Sequence, residues 1–310
     1  MNQGSGLRAL LQRRTAAVAA VRSFFAARDV LEVDVPVLQG GANLDHGVVP
    51  MAVETGRGRR FLPTSPEHPL KRLVAAGAGA VWALSPAFRH GEHGRRHSPE
   101  FRMLEWYRPG LDDAALANEV VALCQLVTGL DGPTTVLPWR EAYRTFVGLD
   151  PASADDAAVI AACGPDATAV AGDRGAALDL LMATRIEPRL GLGEWTVLTD
   201  YPASGCAQAR LRHDQDGWPV AARFEVYRNG LELANGYHEV TAANELAGRF
   251  QLELDQRQDP RLVMDQGLLA ALANGFPDCA GVAVGFDRLL MLAWGVEDIA
   301  QVQAIPFAEA

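Results

Sequence analysis

The sequence predicts an α+β fold in which a mainly antiparallel sheet is flanked by helices. Three observations point there. An Asn229-Gly230 pair separates two alternating runs in FEVYRNGLELANGYHEV, the strongest short-range signal of an antiparallel hairpin. Residues 80–88 and 100–107 read as two further strands around a charged loop, 89–99. Amphipathic or Ala- and Leu-rich stretches with helical spacing stand before, between and after these strands.

Taken in order, Leu7, Leu10, Leu11, Val18, Val21, Phe24 and Phe25 recur at the spacing of one helix face. The run 30–38 follows, where Leu31, Val33, Val35 and Val37 alternate with Glu32, Asp34 and Pro36. That is a strand pattern, and because Pro36 donates no ladder hydrogen bond the strand belongs at an edge or interface. A second helix is predicted over 66–76. Residues 111–131 and 152–190 are helical in spacing with Gly and Pro punctuation, which predicts a helical insertion at about 111–190 between two halves of a sheet, within a single domain over 1–310. In the hairpin, a two-residue loop pairs Arg228 with Leu231 and Tyr227 with Glu232. Glu225 and Glu232 then share a face, on the order of 7–8 Å apart diagonally. GVAVGFDRLLMLAWG predicts a short strand, then a helix starting near Asp287 with Arg288 in its first turn.

A chain of 310 residues, 49% of them hydrophobic, can bury a large core. Its net charge of -10 argues against a broad nucleic-acid surface. The four cysteines lack zinc or disulfide spacing and predict free thiols in a cytoplasmic protein. Arg8, Arg13, Arg14 and Arg22 interrupt the first helix, so no leader or membrane span is predicted. No GxxxxGK[ST] and no strand-borne GxGxxG occurs, which leaves a P-loop or Rossmann site unsupported. His90, His93 and His97 are close in sequence but lack the register and the cysteine that a zinc site favours, so a mobile basic loop is the simpler reading.

Arg89 and Arg288 each stand next to a predicted strand end, where a guanidinium fork could meet phosphate oxygens. Either one alone reads as a solvated surface residue. Glu105, Tyr107, Asn235 and Glu239 are polar positions inside apolar runs, and a buried carboxylate there demands a cationic or hydrogen-bonding partner.

Five separated segments in one order carry a resemblance: LEVDVPVL with the helix before it, TSPEHPLKRLVAAG, FRHGEHGRRHSPEFRMLEWYRP, FEVYRNGLELANGYHE and GVAVGFDRL. Together they resemble the class II aminoacyl-tRNA synthetases of the lysine branch, and within it the stand-alone elongation factor P (R)-β-lysine ligases. The resemblance implies a class II synthetase core, a homodimer formed through the first helix and strand, and activation of (R)-β-lysine, or lysine, as an adenylate for transfer to a lysine of elongation factor P. It implies ATP and Mg2+, with Arg89 and Arg288 on the phosphates as the catalytic pair, Phe101 stacking on adenine with Arg288 on the other face, and Glu92 and His97 nearby. Glu225 and Glu232 would hold magnesium. Ser65, Glu67, Glu105, Tyr107, Asn235, Tyr237 and Glu239 would line the amino-acid pocket, and Ala283 would favour β-lysine over α-lysine. Only about thirty residues precede the first motif, too few for an anticodon-binding OB barrel, so no tRNA partner is expected.

The second motif departs from the family's Arg-Asn-Glu: it reads Arg89, His90, Gly91, with Glu92 one position late. Tyr237 replaces a Phe, and the region 256–263 reads as shorter and more acidic than the family's basic counterpart. Two rivals stay open: the same chemistry with another acceptor, and a non-catalytic amino-acid-sensing subunit.

Overall fold

A computed structural model describes residues 3–45 and 47–310. The chain divides into two compact units, one formed by Met1–Leu130 with His238–Ala310 and the other by Asp131–Tyr237.

The first unit opens with helix α1 (Gln3–Ala26). Only the C-terminal end of the predicted face is buried: Val21, Phe24 and Phe25 are enclosed while Leu7 and Leu11 stay exposed, and Phe25 stacks on Trp82 at 4.9 Å and meets Trp106 edge-on at 5.2 Å. The strand expected over 30–38 shrinks to β1 (Leu31–Glu32), with one more bond from the Val33 amide to the Trp82 carbonyl. Pro36 has no amide to extend the ladder, and Leu31 is left 54% exposed. The hairpin β2 (Met51–Thr55) and β3 (Gly58–Leu62) follows, then α2 (Glu67–Ala75). Next come β4 (Val81–Phe88), β5 (Glu100–Pro109) and α3 (Asp113–Thr128). Asp112 caps α3 by accepting from the Ala115 amide at 2.8 Å, and Gly129 ends it at φ 68°.

The second unit runs through β6 (Thr134–Pro138), α4 (Trp139–Phe146), α5 (Asp156–Ala162) and α6 (Arg174–Leu181). It continues with β7 (Trp195–Pro202), β8 (Leu211–His213), β9 (Pro219–Arg228) and β10 (Leu231–His238). The helices predicted over 152–190 are present, and β6 stands between them and α3. The chain then returns to the first unit with α7 (Ala243–Arg257), α8 (Gln266–Ala273), β11 (Cys279–Gly285) and α9 (Phe286–Trp294).

In the first unit the strand order is β1-β4-β5-β11, parallel only between β1 and β4. In the second it is β10-β9-β7-β6, with β8 also on β9, parallel only between β6 and β7. The mainly antiparallel α+β prediction therefore holds. One core gathers Leu70, Val74, Val81, Tyr107, Leu246 and Leu268; the other gathers Trp139, Tyr143, Leu181, Ile186, Leu198 and Tyr227. All four cysteines are free thiols. Among the described residues no helix is long and apolar enough to cross a membrane.

Candidate active site

The central strand of the first unit's sheet carries Glu105 and Tyr107 two residues apart, so both point to one face. Glu105 pairs with Ala83 on β4 and with Ala283 on β11, two small residues that leave room beside its carboxylate. Tyr107 pairs with Val81 and Gly281. At Gly281 a Cβ would stand 2.2 Å from Tyr107 Cε1 and 2.6 Å from Glu239 Oε1, so only glycine lets the ring and the carboxylate lie against β11.

Around this face the polar residues find their partners. Ser65 Oγ donates to Glu105 Oε2 at 2.5 Å and Tyr107 Oη donates to Oε1 at 2.9 Å. Lys71 Nζ lies 2.5 Å from Glu67 Oε1 and 2.6 Å from Glu239 Oε2. Glu67, Lys71, Glu105, Tyr107 and Glu239 are all buried. Two carboxylates, Glu67 and Glu239, thus share one enclosed ammonium, and the Glu105 carboxyl beside them bonds Ser65 and Tyr107 instead. Burial, reinforced by Glu67, pushes the Glu105 carboxyl up to about 8. Burial also raises Glu239, against the pull of Lys71, and holds the Tyr107 phenol well above its usual range. The cluster is therefore acidic, enclosed and proton-holding.

The predicted nucleotide residues of this unit lie at the ends of β4 and β5 and at α9. Arg89 follows β4; its guanidinium stands 5.2 Å over the Phe101 ring, and Nη1 reaches Glu92 at 3.4 Å. Gly91 adopts φ 80°, the turn that carries Glu92 back toward Arg89. Arg288 Nη2 meets His97 Nε2 at 2.6 Å and Nε donates to the Arg96 carbonyl at 3.3 Å. Partial burial and Arg288 lower the His97 pKa, so a neutral imidazole accepts from the guanidinium. Asp287 fixes this end of α9: it is 2% exposed, accepts from the Arg102 amide at 2.9 Å and pairs with Arg14 of α1 at 2.8 Å.

The second unit holds Glu225, Glu232, Asn235 and Tyr237 on the predicted hairpin. Its register is as expected, Arg228 with Leu231 and Tyr227 with Glu232, before a bulge between Glu232 and Ala234. Asn229 and Gly230 take φ 53° and 65°, the left-handed pair of a tight hairpin turn. Arg223 Nη2 donates to Glu225 Oε1 at 2.6 Å and Tyr227 Oη donates to Oε2 at 2.5 Å. Burial and then Glu225 raise the Tyr201 and Tyr227 phenols, and Glu232 adds to both. Arg223 Nε also donates to Asn235 Oδ1 at 3.1 Å, and Asn235 Nδ2 donates to Tyr237 Oη at 3.0 Å. Two hard carboxylates on one face are of the donor type that could hold a magnesium ion, with phosphate and water completing its shell. Among the described residues no group of three or more His, Cys, Asp or Glu could hold a metal unaided.

Of the predicted residues, Ser65, Glu67, Glu105, Tyr107 and Glu239 converge with Ala283 beside them, and Arg89, Glu92 and Phe101 meet, as do His97 and Arg288. Lys71, Gly281, Arg223 and Asp287 were not singled out from sequence. Lys71 had a signal, since Glu67 and Lys71 stand at i, i+4 on one helix; a surface pair shows the same spacing, so burial decided its meaning.

Fold and site together define a class: a mainly antiparallel sheet with arginines at its strand ends is the frame of a class II synthetase core. A family model described as tRNA synthetases class II (D, K and N) matches residues 3–309. Proteins named elongation factor P–(R)-β-lysine ligase from Salmonella dublin, Salmonella paratyphi B and Salmonella enteritidis PT4 are 42% identical over 307 residues, 95% of this chain and 94% of each relative. The chain belongs to the class II synthetase family and, within it, to the family of these elongation factor P–(R)-β-lysine ligases.

Proposed function

We propose that this chain activates (R)-β-lysine with ATP and ligates it to a lysine of elongation factor P in the cytoplasm, working as a homodimer without tRNA. The observation that carries the reading is the enclosed pair Glu67 and Glu239 on one internal ammonium with the buried Glu105 carboxyl nearby, an acidic set matched to a substrate with two ammonium groups. Relatives 42% identical over 95% of this chain bear that activity in their names.

In the first step the substrate carboxylate attacks the α-phosphorus in line, and pyrophosphate leaves. Arg89 and Arg288 balance the charge that develops on the phosphate oxygens, while Phe101, Glu92 and His97 face the base. Magnesium, held by Glu225 and Glu232, would screen the phosphates and orient them. In the second step the neutral acceptor amine attacks the anhydride carbonyl, an amide forms, and AMP leaves with the bonding electrons. The Ala283 methyl beside Glu105 narrows the space at the substrate amine and favours the β-amino acid.

Amino-acid-dependent pyrophosphate exchange tests the reading. Exchange is expected to peak with (R)-β-lysine and to vanish in Glu232→Gln; absence of exchange with any amino acid would replace it with the amino-acid-sensing alternative. Ala283→Gly is expected to move the preference toward α-lysine.

A further inference from the structure

Lys71 lies in the wall of the amino-acid pocket without belonging to any of the groups assigned to substrate or nucleotide. Its side chain is 2% exposed, and its Nζ bridges Glu67, one turn earlier on α2, to Glu239, beyond the end of β10. The Glu239 amide is itself bonded to the Cys279 carbonyl at 3.0 Å. One ammonium therefore spaces two carboxylates that the chain delivers from separate elements. Burying such a group costs several kcal/mol in general, and apolar replacements of buried ion pairs are often as stable or more so. An ion triad kept in a pocket wall therefore points to a task other than stability.

We propose that Lys71 is a positioning residue for the amino-acid substrate, its ammonium fixing Glu67 and Glu239 at the spacing that receives the substrate's own ammonium groups. The inference rests on the reading that this pocket binds the β-lysine. The titratable groups around Lys71 are Glu67, Glu239, Glu105, Tyr107 and Cys279. Burial opposes the charge on Lys71, but Glu239 and Glu67 outweigh it and raise its pKa, so the ammonium persists at any working pH.

The test is Lys71→Met, of similar length and uncharged, in pyrophosphate exchange. The KM for (R)-β-lysine is expected to rise about tenfold or more while the KM for ATP moves less than about threefold. The acid limb of kcat/KM for the amino acid should shift to higher pH, because Glu239 without its counter-ion protonates more readily. Equal changes in both KM values with an unmoved pH profile would overturn the proposal. If Lys71→Met does not fold, the double variant Lys71→Met/Glu67→Gln, which restores the charge balance, is compared with Glu67→Gln. A further rise of about tenfold in amino-acid KM supports positioning, and equality overturns it. Wild-type exchange separates the two claims: no exchange in the wild type refutes the pocket reading, whereas normal exchange with an unaffected variant refutes the role of Lys71 alone.

Discussion

At the scale of single residues, two positions in the acidic pocket make separable demands. Gly281 admits no side chain, because a Cβ would drive into the Tyr107 ring and the Glu239 carboxylate. One is the edge of a buried ring and the other a carboxylate oxygen, so Gly281→Ala must push both side chains aside. The expected result is an amino-acid KM raised by at least about tenfold with the KM for ATP little changed, read in the same exchange assay. Glu105 demands a proton. Its carboxyl is raised from 4.5 to about 8 in the folded protein, so its contribution to stability is complete below pH 4.5 and is lost as pH rises toward 8. Between pH 6 and 8 the wild type should lose on the order of 2 kcal/mol through this group. Glu105→Gln, an amide that is neutral throughout, should flatten the dependence of the melting temperature on pH. A wild-type curve already flat over that range would count against a protonated Glu105. The polarity of these positions was legible in sequence, as was the need for partners; the identity of the partners was not, since Ser65 and Lys71 lie 40 and 34 residues before Glu105.

At the scale of elements, the β9–β10 hairpin was readable in full up to its bulge, because a two-residue turn dictates register locally. Gly230 sits at φ 65°, with the Pro188 backbone 3.2 Å from where a Cβ would be. Gly230→Ala should lower stability by about 1–2 kcal/mol, measured by denaturant titration; an unchanged midpoint would show that the turn yields freely. Helix α8 was not read from sequence, although Asp265 caps it by accepting from the Leu268 amide at 3.0 Å. The same carboxylate lies 3.4 Å from His68 Nδ1 on α2, and with His68 among the causes its pKa is lowered despite burial. Removing it in Asp265→Ala should cost about 2 kcal/mol, a cap plus a buried partner. The strand expected over 30–38 was overdrawn for the opposite reason: alternation was present, but a proline and an open edge left nothing to sustain pairing beyond Val33.

At the scale of the whole molecule, α1 and β1 leave Leu7, Leu11 and Leu31 about half exposed, apolar surface consistent with the proposed homodimer. Sedimentation should report twice the 33.2 kDa chain mass, and Leu11→Asp should shift the equilibrium to monomer; a monomeric wild type at micromolar concentration would remove the dimer from the proposal. By itself the sequence determined the kind of fold, the order of its motifs, the turn of the hairpin and the chemical type of nearly every proposed site residue. Those features depend on periodicity, turn chemistry and residue identity, which are local. Tertiary structure alone decided that Lys71 is an enclosed counter-ion rather than a surface pair, that Arg223 engages Glu225, that Asp287 anchors the helix bearing Arg288, and that Gly281 must stay bare. Each depends on which residues, distant in the chain, are brought within a few ångströms and shut away from water, and burial is what turns an ordinary charge or a missing side chain into a functional constraint.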